Sequence, residues 1–213
     1  MLVRDRRTTI LTSILILLPL LAGLLSWNKH ASSIAFSVDL NFMTVDLSDK
    51  FMGVIVMPLA VLFFHLLLAI QLSKSPSRKA IGKVYTLIIC VDPLISIWIS
   101  YIIYPYILGI KIDPSLLTDL LVGVFLITGG NYYPKIKRNG ALGMKFPWTC
   151  ANEENWNRTH HLAGILYMLL GMYTIMRRFI HLPDSPAIIG IAILLVIIVS
   201  AGYSYFLHVK KNL

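Results

Sequence analysis

The sequence predicts an all-α integral membrane protein of six transmembrane helices with both termini in the cytoplasm, and three observations lead there. Hydrophobic residues make up 57% of the 213 and charged residues 14%, with a mean hydropathy of +0.75, whereas soluble globular domains carry about 25% charged residues. The apolar residues gather into runs of the length a bilayer demands, roughly 20 residues for about 30 Å of hydrocarbon. The basic residues gather between alternate runs. A chain of this length has room for about six or seven spans with short loops, so residues 1–213 are read as a single membrane domain.

The first span, 9–26, follows Arg4, Arg6 and Arg7, a pattern shared by signal peptides and first membrane helices. Its apolar run is long for a signal sequence and the small-residue cleavage pattern is poor, so it is read as an uncleaved helix. In the loop at 27–51, Ile34, Phe36, Val38, Leu40 and Phe42 alternate with Ala35, Ser37, Asp39 and Asn41. Period two marks a half-buried strand, so a short extracellular strand or hairpin is expected after the first helix, with an irregular loop as the alternative. The second span, 52–72, holds Pro58 and His65. The third, 84–108, should kink at Pro93, because proline removes a backbone donor and crowds the carbonyl four residues earlier. The fourth, 116–130, is short, with Asp119 near its start. The fifth and sixth cover 161–176 and 187–208, where Gly164 with Gly171 and Ser200 with Ser204 mark candidate close helix contacts. No whole-helix repeat and no Gly-rich phosphate loop is present.

Charge placement sets the orientation, since Lys and Arg accumulate in short cytoplasmic loops. With the N-terminus inside, the outer segments hold only Lys29, Lys50, Lys111, Arg177 and Arg178 of the 19 basic residues. The acids lean outward, at Asp39, Asp46, Asp49, Asp113 and Asp184. The net charge of +9 is therefore a topological signal, and no direct nucleic-acid binding is expected.

Ionisable residues in hydrocarbon are costly, about 3 kcal/mol for an unpaired charge at the centre of a span, and so mark candidate function. His65, Asp92 and Asp119 qualify as a proton relay or ion path. The plainer readings are a neutral, hydrogen-bonded core histidine at His65 and an interfacial cap at Asp119. Asp92 is mid-span and precedes a proline, and both a functional and a structural role stay open for it.

Residues 130–164 are the one long polar segment, with a motif loop at 131–160. Turn residues (Pro134, Asn139-Gly140, Gly143, Pro147) alternate there with basic and aromatic ones, which suits a defined fold at the membrane surface. Trp148 and Trp156 fit an interfacial setting. Glu153 and Glu154 fit an early helical turn, where the helix dipole favours acids, and Thr149 could cap that turn. His160 and His161 with those carboxylates invite a metal reading, but H-E-x-x-H is absent and no thiol pair completes the set. Neither metal nor cofactor is expected. Cys90 and Cys150 are read as free thiols. Cys150 with His160 is the one nucleophile-and-base pair, and nothing in the sequence fixes its geometry, so no catalytic residue is assigned and the protein is read as a non-enzyme.

The segment resembles the SdpI family of bacterial immunity proteins, whose signature is similar to G-N-Y-x-P-K-x-K-x-N, then G-x-R-x-P-W-T, then E-x-x-W-x-x-T-H-x-x-G. The matching positions are Gly130, Asn131, Tyr132, Pro134, Lys135, Lys137 and Asn139; then Gly143, Pro147, Trp148 and Thr149; then Glu153, Trp156, Thr159, His160 and Gly164. The chain departs at Arg138 for proline, Lys145 for arginine, Phe146 for threonine and His161 for arginine, and its 27–51 segment lacks the proline-histidine-asparagine-glycine pattern usual there. Lysine does not replace arginine at a bidentate site, which puts any anion-clamping role of Lys145 in doubt. The resemblance implies a multi-pass protein of the bacterial cytoplasmic membrane, set in the lipid bilayer, that protects its producer from a secreted peptide toxin. It also implies, as in the best-known members, capture of a cytoplasmic transcriptional repressor once toxin is bound. Toxin contact would then fall on Ile34, Phe36, Val38, Leu40 and Phe42. The rival reading is a small proton-coupled membrane transporter using Asp92 and His65.

Overall fold

A computed structural model describes residues 3–29, 37–39, 44–46, 51–74, 84–107, 110, 112–180 and 185–211. They are helical apart from turns, the motif loop and one short strand pair. The chain forms two compact units: Met1–Ser75 with Tyr85–Pro114, and Pro76–Val84 with Ser115–Leu213.

The first unit is built on α1 (Val3–Leu25), α2 (Met57–Lys74), α3 (Val84–Ile89) and α4 (Val91–Ile107). Prolines shape it. Pro58 has no N–H to close an ordinary turn, and the preceding residues Met52–Val56 form a π turn in which the Met57 N–H bonds Met52 O, the usual local answer to a broken helical ladder. The kink expected at Pro93 is a break: α3 stops at Ile89, whose carbonyl the proline ring would crowd. Cys90 forms a turn with its N–H on Thr86 O at 3.0 Å, and α4 restarts at Val91. Pro93 thereby falls in a first turn, where its missing N–H costs nothing.

Three helices of this unit, α1, α2 and α4, pack on one another and are joined by crossing side chains. Ser96 Oγ donates to Ile16 O at 3.0 Å and Tyr104 OH to Pro19 O at 2.5 Å. Thr9 Oγ1 bonds Tyr85 OH at 3.2 Å. A small apolar cluster centres on Val54 and Ile103. Between α1 and α2 lie β1 (Ser37–Asp39) and β2 (Thr44–Asp46), antiparallel with Val38 opposite Val45. Of the alternating row, Val38 sits in β1, while Ile34, Phe36, Leu40 and Phe42 lie outside the described residues.

The second unit consists of α5 (Ser115–Tyr132), a 3-10 turn (Tyr133–Lys135), α6 (Pro147–Ala151), α7 (Glu153–Phe179) and α8 (Pro186–Lys211). Long α7 packs against both α5 and α8, with Leu126, Leu170, Ile189 and Val196 at the core. Helices α5 and α7 touch backbone to backbone. A Cβ on Gly130 would lie 2.6 Å from Gly164 O, and one on Gly171 would lie 2.6 Å from Gly123 O. The glycines of each helix are seven residues apart, and a heptad drifts only about 20° around a straight helix, so both contacts fall on one face. Gly164 and Gly171 answer to the sequence expectation; their partners Gly123 and Gly130 were not foreseen.

Among the described residues five helices are long and apolar enough to cross a membrane, at Asp5–Leu25, Met52–Lys74, Val84–Pro105, Ser115–Lys135 and Ala187–Lys210. The expected fifth span, 161–176, lies inside α7, which falls short of that measure: Glu153, Glu154, Arg158, His160 and His161 occupy its first turns and Arg177 and Arg178 its last. The helix begins at Glu153, about two turns before the expected boundary, so the final stretch of the 131–160 loop is helix. Outward-facing side chains are apolar, with Phe64 67% and Ile198 63% exposed, while His65, Ser96 and Ser204 are buried. Such a surface suits hydrocarbon as the solvent and would be a liability in water.

Candidate functional site

The motif loop folds around its own side chains. Asn139 Oδ1 accepts the backbone N–H groups of Ala141 and Leu142, both at 2.8 Å, and its amide donates to Lys137 O at 2.7 Å, the local turn an Asn-Gly pair favours. Lys145 Nζ donates to Gly140 O at 3.0 Å and Ala141 O at 3.3 Å. Its ammonium thus closes the loop. Arg138, where the family carries proline, donates to Cys150 O and Ala151 O, each at 3.1 Å, satisfying carbonyls at the end of α6 that have no intrahelical donor. Asn152 caps α7, accepting from Glu154 N at 2.8 Å and Asn155 N at 3.2 Å. That is the role expected of Thr149, which instead bonds Ser204 of α8. Glu153 and Glu154 do lie in the first turn.

A buried ring stack forms the centre. Trp156 and His160 are one turn apart on α7, with centroids 4.0 Å apart, and Tyr133 stacks on the other side of His160 at 5.1 Å. Both Trp156 and His160 are fully buried. The indole N–H donates to Ile136 O at 2.8 Å, tying the chain after α5 to α7. His160 Nδ1 lies 2.8 Å from Trp156 O, and a carbonyl only accepts, so Nδ1 carries the proton. Nε2 accepts the Met144 N–H at 3.1 Å. The bonds therefore fix a neutral imidazole in one tautomer, and burial lowers its proton affinity further, opposed in part by the Trp156 carbonyl. Gly143 has φ +113°, and a Cβ there would collide with His160 Nε2. Only glycine allows that approach.

A second buried network ties α6, α7 and α8. Thr149 Oγ1 bonds Ser204 Oγ at 2.5 Å, Ser204 Oγ donates to Asn155 Oδ1 at 2.6 Å, Asn155 Nδ2 donates to Ser204 O at 3.0 Å, and Thr159 Oγ1 donates to Asn155 Oδ1 at 3.1 Å. Asn155 is the member sequence reading missed. Its signal was present, since Asn155 and Thr159 are one turn apart on a face that continues to Ala163.

The remaining motif residues are more superficial. Asn131 Oδ1 accepts from Lys135 Nζ at 3.4 Å, and that ammonium sits 4.8 Å from the centre of the Tyr132 ring. Lys137 and Pro147 are exposed. Trp148 stacks on Phe146 at 5.7 Å and meets Tyr205 edge-on at 5.3 Å. Pro134, Leu162, Ile165 and Tyr203 line an open groove with Asn157, Arg158 and His161 at its rim. His161 thus faces away from buried His160. Among the described residues no group of three or more His, Cys, Asp or Glu side chains is placed to hold a metal. Cys150 is exposed, and both nitrogens of His160 are engaged elsewhere.

The three intramembrane candidates separate. In the first unit His65 Nδ1 lies 2.8 Å from Asp92 Oδ2 and Nε2 lies 2.9 Å from Thr12 Oγ1. In the second, Asp119 is 3% exposed and accepts from Arg177 Nη2 at 2.5 Å. Asp119 is therefore half of a buried ion pair, not an interfacial cap. Arg177, counted in sequence as an outer-loop charge, is a 4% exposed member of the last turn of α7.

Residues 135–205 match the model of the SdpI/YfhL protein family. Lys135 to Tyr205 is an SdpI-type segment. It contains the hydrogen-bonded residues of both networks, Ile136, Met144, Thr149, Asn155, Trp156, Thr159, His160 and Ser204, while Tyr133 of the ring stack precedes it. Over 105 residues the chain is 29% identical to "Immunity protein SdpI" of Bacillus subtilis (strain 168), an alignment covering 49% of this chain and 51% of that protein. The match thus spans about half the length of the curated relative. No solved structure matches the chain. With five spanning-length helices among its described residues and this SdpI-like segment, the chain is a multi-pass protein of the cytoplasmic membrane.

Proposed function

We propose that the protein is a non-enzymatic immunity protein that protects a bacterium from a secreted peptide toxin, with six spans, both termini in the cytoplasm and the motif on the cytoplasmic side. The observation that carries this reading is the SdpI-type segment itself, because Thr149, Trp156, Thr159 and His160, which anchor its buried stack and network, are positions of the signature. In this reading Trp156, His160, Thr149 and Thr159 are positioning residues that hold the inner surface in one shape. Asn131, Tyr132, Lys135 and Lys137 present that surface to a partner, which we take to be a cytoplasmic repressor. The segment at 27–51, including Val38, meets the toxin from outside.

The test is a strain lacking the gene, challenged by its toxin-producing neighbours. We expect loss of survival, restored by the wild-type gene and not by Trp156→Ala expressed to the same membrane level. Equal survival of the deletion strain and its parent would overturn the reading. The carrier reading keeps one observation in its favour, the bonded His65 and Asp92. Proton flux into proteoliposomes that persists unchanged in Asp92→Asn would remove it.

A further inference from the structure

We propose that His65 and Asp92 form a proton-binding site within the first unit, holding at rest one proton more than a neutral imidazole with an ionised carboxylate would hold. The site is then electrically neutral. Every polar atom of His65 is engaged: the residue is fully buried, with Nδ1 2.8 Å from Asp92 Oδ2 and Nε2 2.9 Å from Thr12 Oγ1. The direction of the Thr12 bond decides the proton count. Thr12 Oγ1 also lies 2.8 Å from Thr8 O and 3.1 Å from Thr9 O, two carbonyls that can only accept. The single hydroxyl hydrogen belongs to those contacts, as is common for threonine inside a helix. Thr12 Oγ1 therefore accepts from His65, and Nε2 carries a hydrogen. The Nδ1–Oδ2 contact needs a second one, carried on nitrogen as imidazolium facing carboxylate or on oxygen as carboxylic acid facing neutral imidazole. Both forms have the same proton count and zero net charge.

The alternative gives Thr12 as donor to Nε2 and Nδ1–H as donor to ionised Asp92. It leaves Thr12 Oγ1 against Thr8 O with no hydrogen between them, and it leaves a net negative charge within a membrane span, which hydrocarbon penalises. The surroundings would not relieve that charge. From α1 the groups on this side are Thr9 and Thr12; from α3, Tyr85, bonded to Thr9. From α4 they are Asp92 and Ser96, whose hydroxyl is committed to Ile16 O. Cys90 beside them is exposed. Among the described residues no Lys or Arg bonds the pair. A Thr-His-Asp order also resembles a nucleophile with its base, but Thr12 is 3% exposed and its hydrogen is spent on backbone. Asp92 is the less enclosed member, its side chain 19% exposed against 0% for His65.

This assignment concerns the resting pair and rests on neither reading of function. The experiment is nitrogen NMR of histidine-labelled full-length protein in lipid nanodiscs at neutral pH, with the His65 resonances assigned by their loss in His65→Gln. Infrared spectra of the same samples report protonated carboxyl groups. We expect one of two results: both ring nitrogens protonated, or Nε2 alone protonated together with a carboxylic-acid band that disappears in Asp92→Asn. A bare Nε2, or a protonated Nε2 with neither a protonated Nδ1 nor that band, overturns the proposal. The nitrogen spectrum is read on wild-type protein, and if His65→Gln fails to fold, His→Gln variants of the other five histidines assign His65 by elimination.

Discussion

In the first unit, α1 is joined to its neighbours by single side chains that reach across: Thr9 to Tyr85, Thr12 to His65, Ser96 to Ile16 O and Tyr104 to Pro19 O. In the second, α5 and α7 approach until Gly130 and Gly164, and Gly123 and Gly171, leave no room for a side chain, and the polar bonds gather around the motif apart from the Asp119–Arg177 pair. Lipid tails are as apolar as leucine, so helices in a bilayer gain little from hiding apolar faces and must associate through close packing or through hydrogen bonds. Each unit leans on one of these means. An interhelical side-chain bond contributes about 0.6 kcal/mol on average in a membrane, so a seam of such bonds is a sum of small terms. Close backbone packing is steep, because one added methyl group opposes the whole contact.

That contrast is breakable. The largest expected effect is Gly164→Leu, which places a side chain where Gly130 O and Pro134 now sit. Loss of at least about 3 kcal/mol, read by denaturant titration in detergent, would show the packing to be steep. Gly129→Ala is its control, since nothing lies within 4 Å of that position and a gain of up to about 1 kcal/mol is expected from helix propensity. Trp156→Phe should cost about 2 kcal/mol, because Ile136 O keeps its burial and loses its donor; a neutral result would mean that the stack, not the bond, holds the loop.

Acidification comes next. Burial lowers the proton affinity of His160, so the folded motif takes up a proton less readily than the unfolded chain. Stability from this residue is present above the ordinary histidine value of about 6.5 and is lost as the pH falls through the lower, folded value. Tryptophan fluorescence of the wild type should report loosening over that range, and His160→Gln should flatten the response. In the first unit, Ser96→Ala should cost only about 1 kcal/mol by the same denaturant titration. A much larger loss would mean that the seam acts as one network. Smallest is Arg158→Ala, expected within about 0.5 kcal/mol, because its pair with Glu154 is exposed on both sides.

The sequence by itself determined what is local. Composition and run length set the membrane class, and the spacing of motif residues led to the SdpI likeness. Pro93 told where a helix would fail, because the clash it creates lies within four residues of chain. Turn chemistry at Asn139-Gly140 and the acids of the first turn of α7 were legible for the same reason. What the tertiary structure decided is pairing. His65 meets Thr12 across 53 residues and Asp92 across 27, Asp119 meets Arg177 across 58, and Thr149 meets Ser204 across 55. Periodicity says which side chains share a face but not which faces meet. Arg177 therefore looked like a loop charge and Thr149 like a helix cap until the helices stood side by side. The proton on His160 Nδ1 follows the same rule, because a ring's tautomer is set by its neighbours, and Met144 N reaches His160 only through the turn that Gly143 permits.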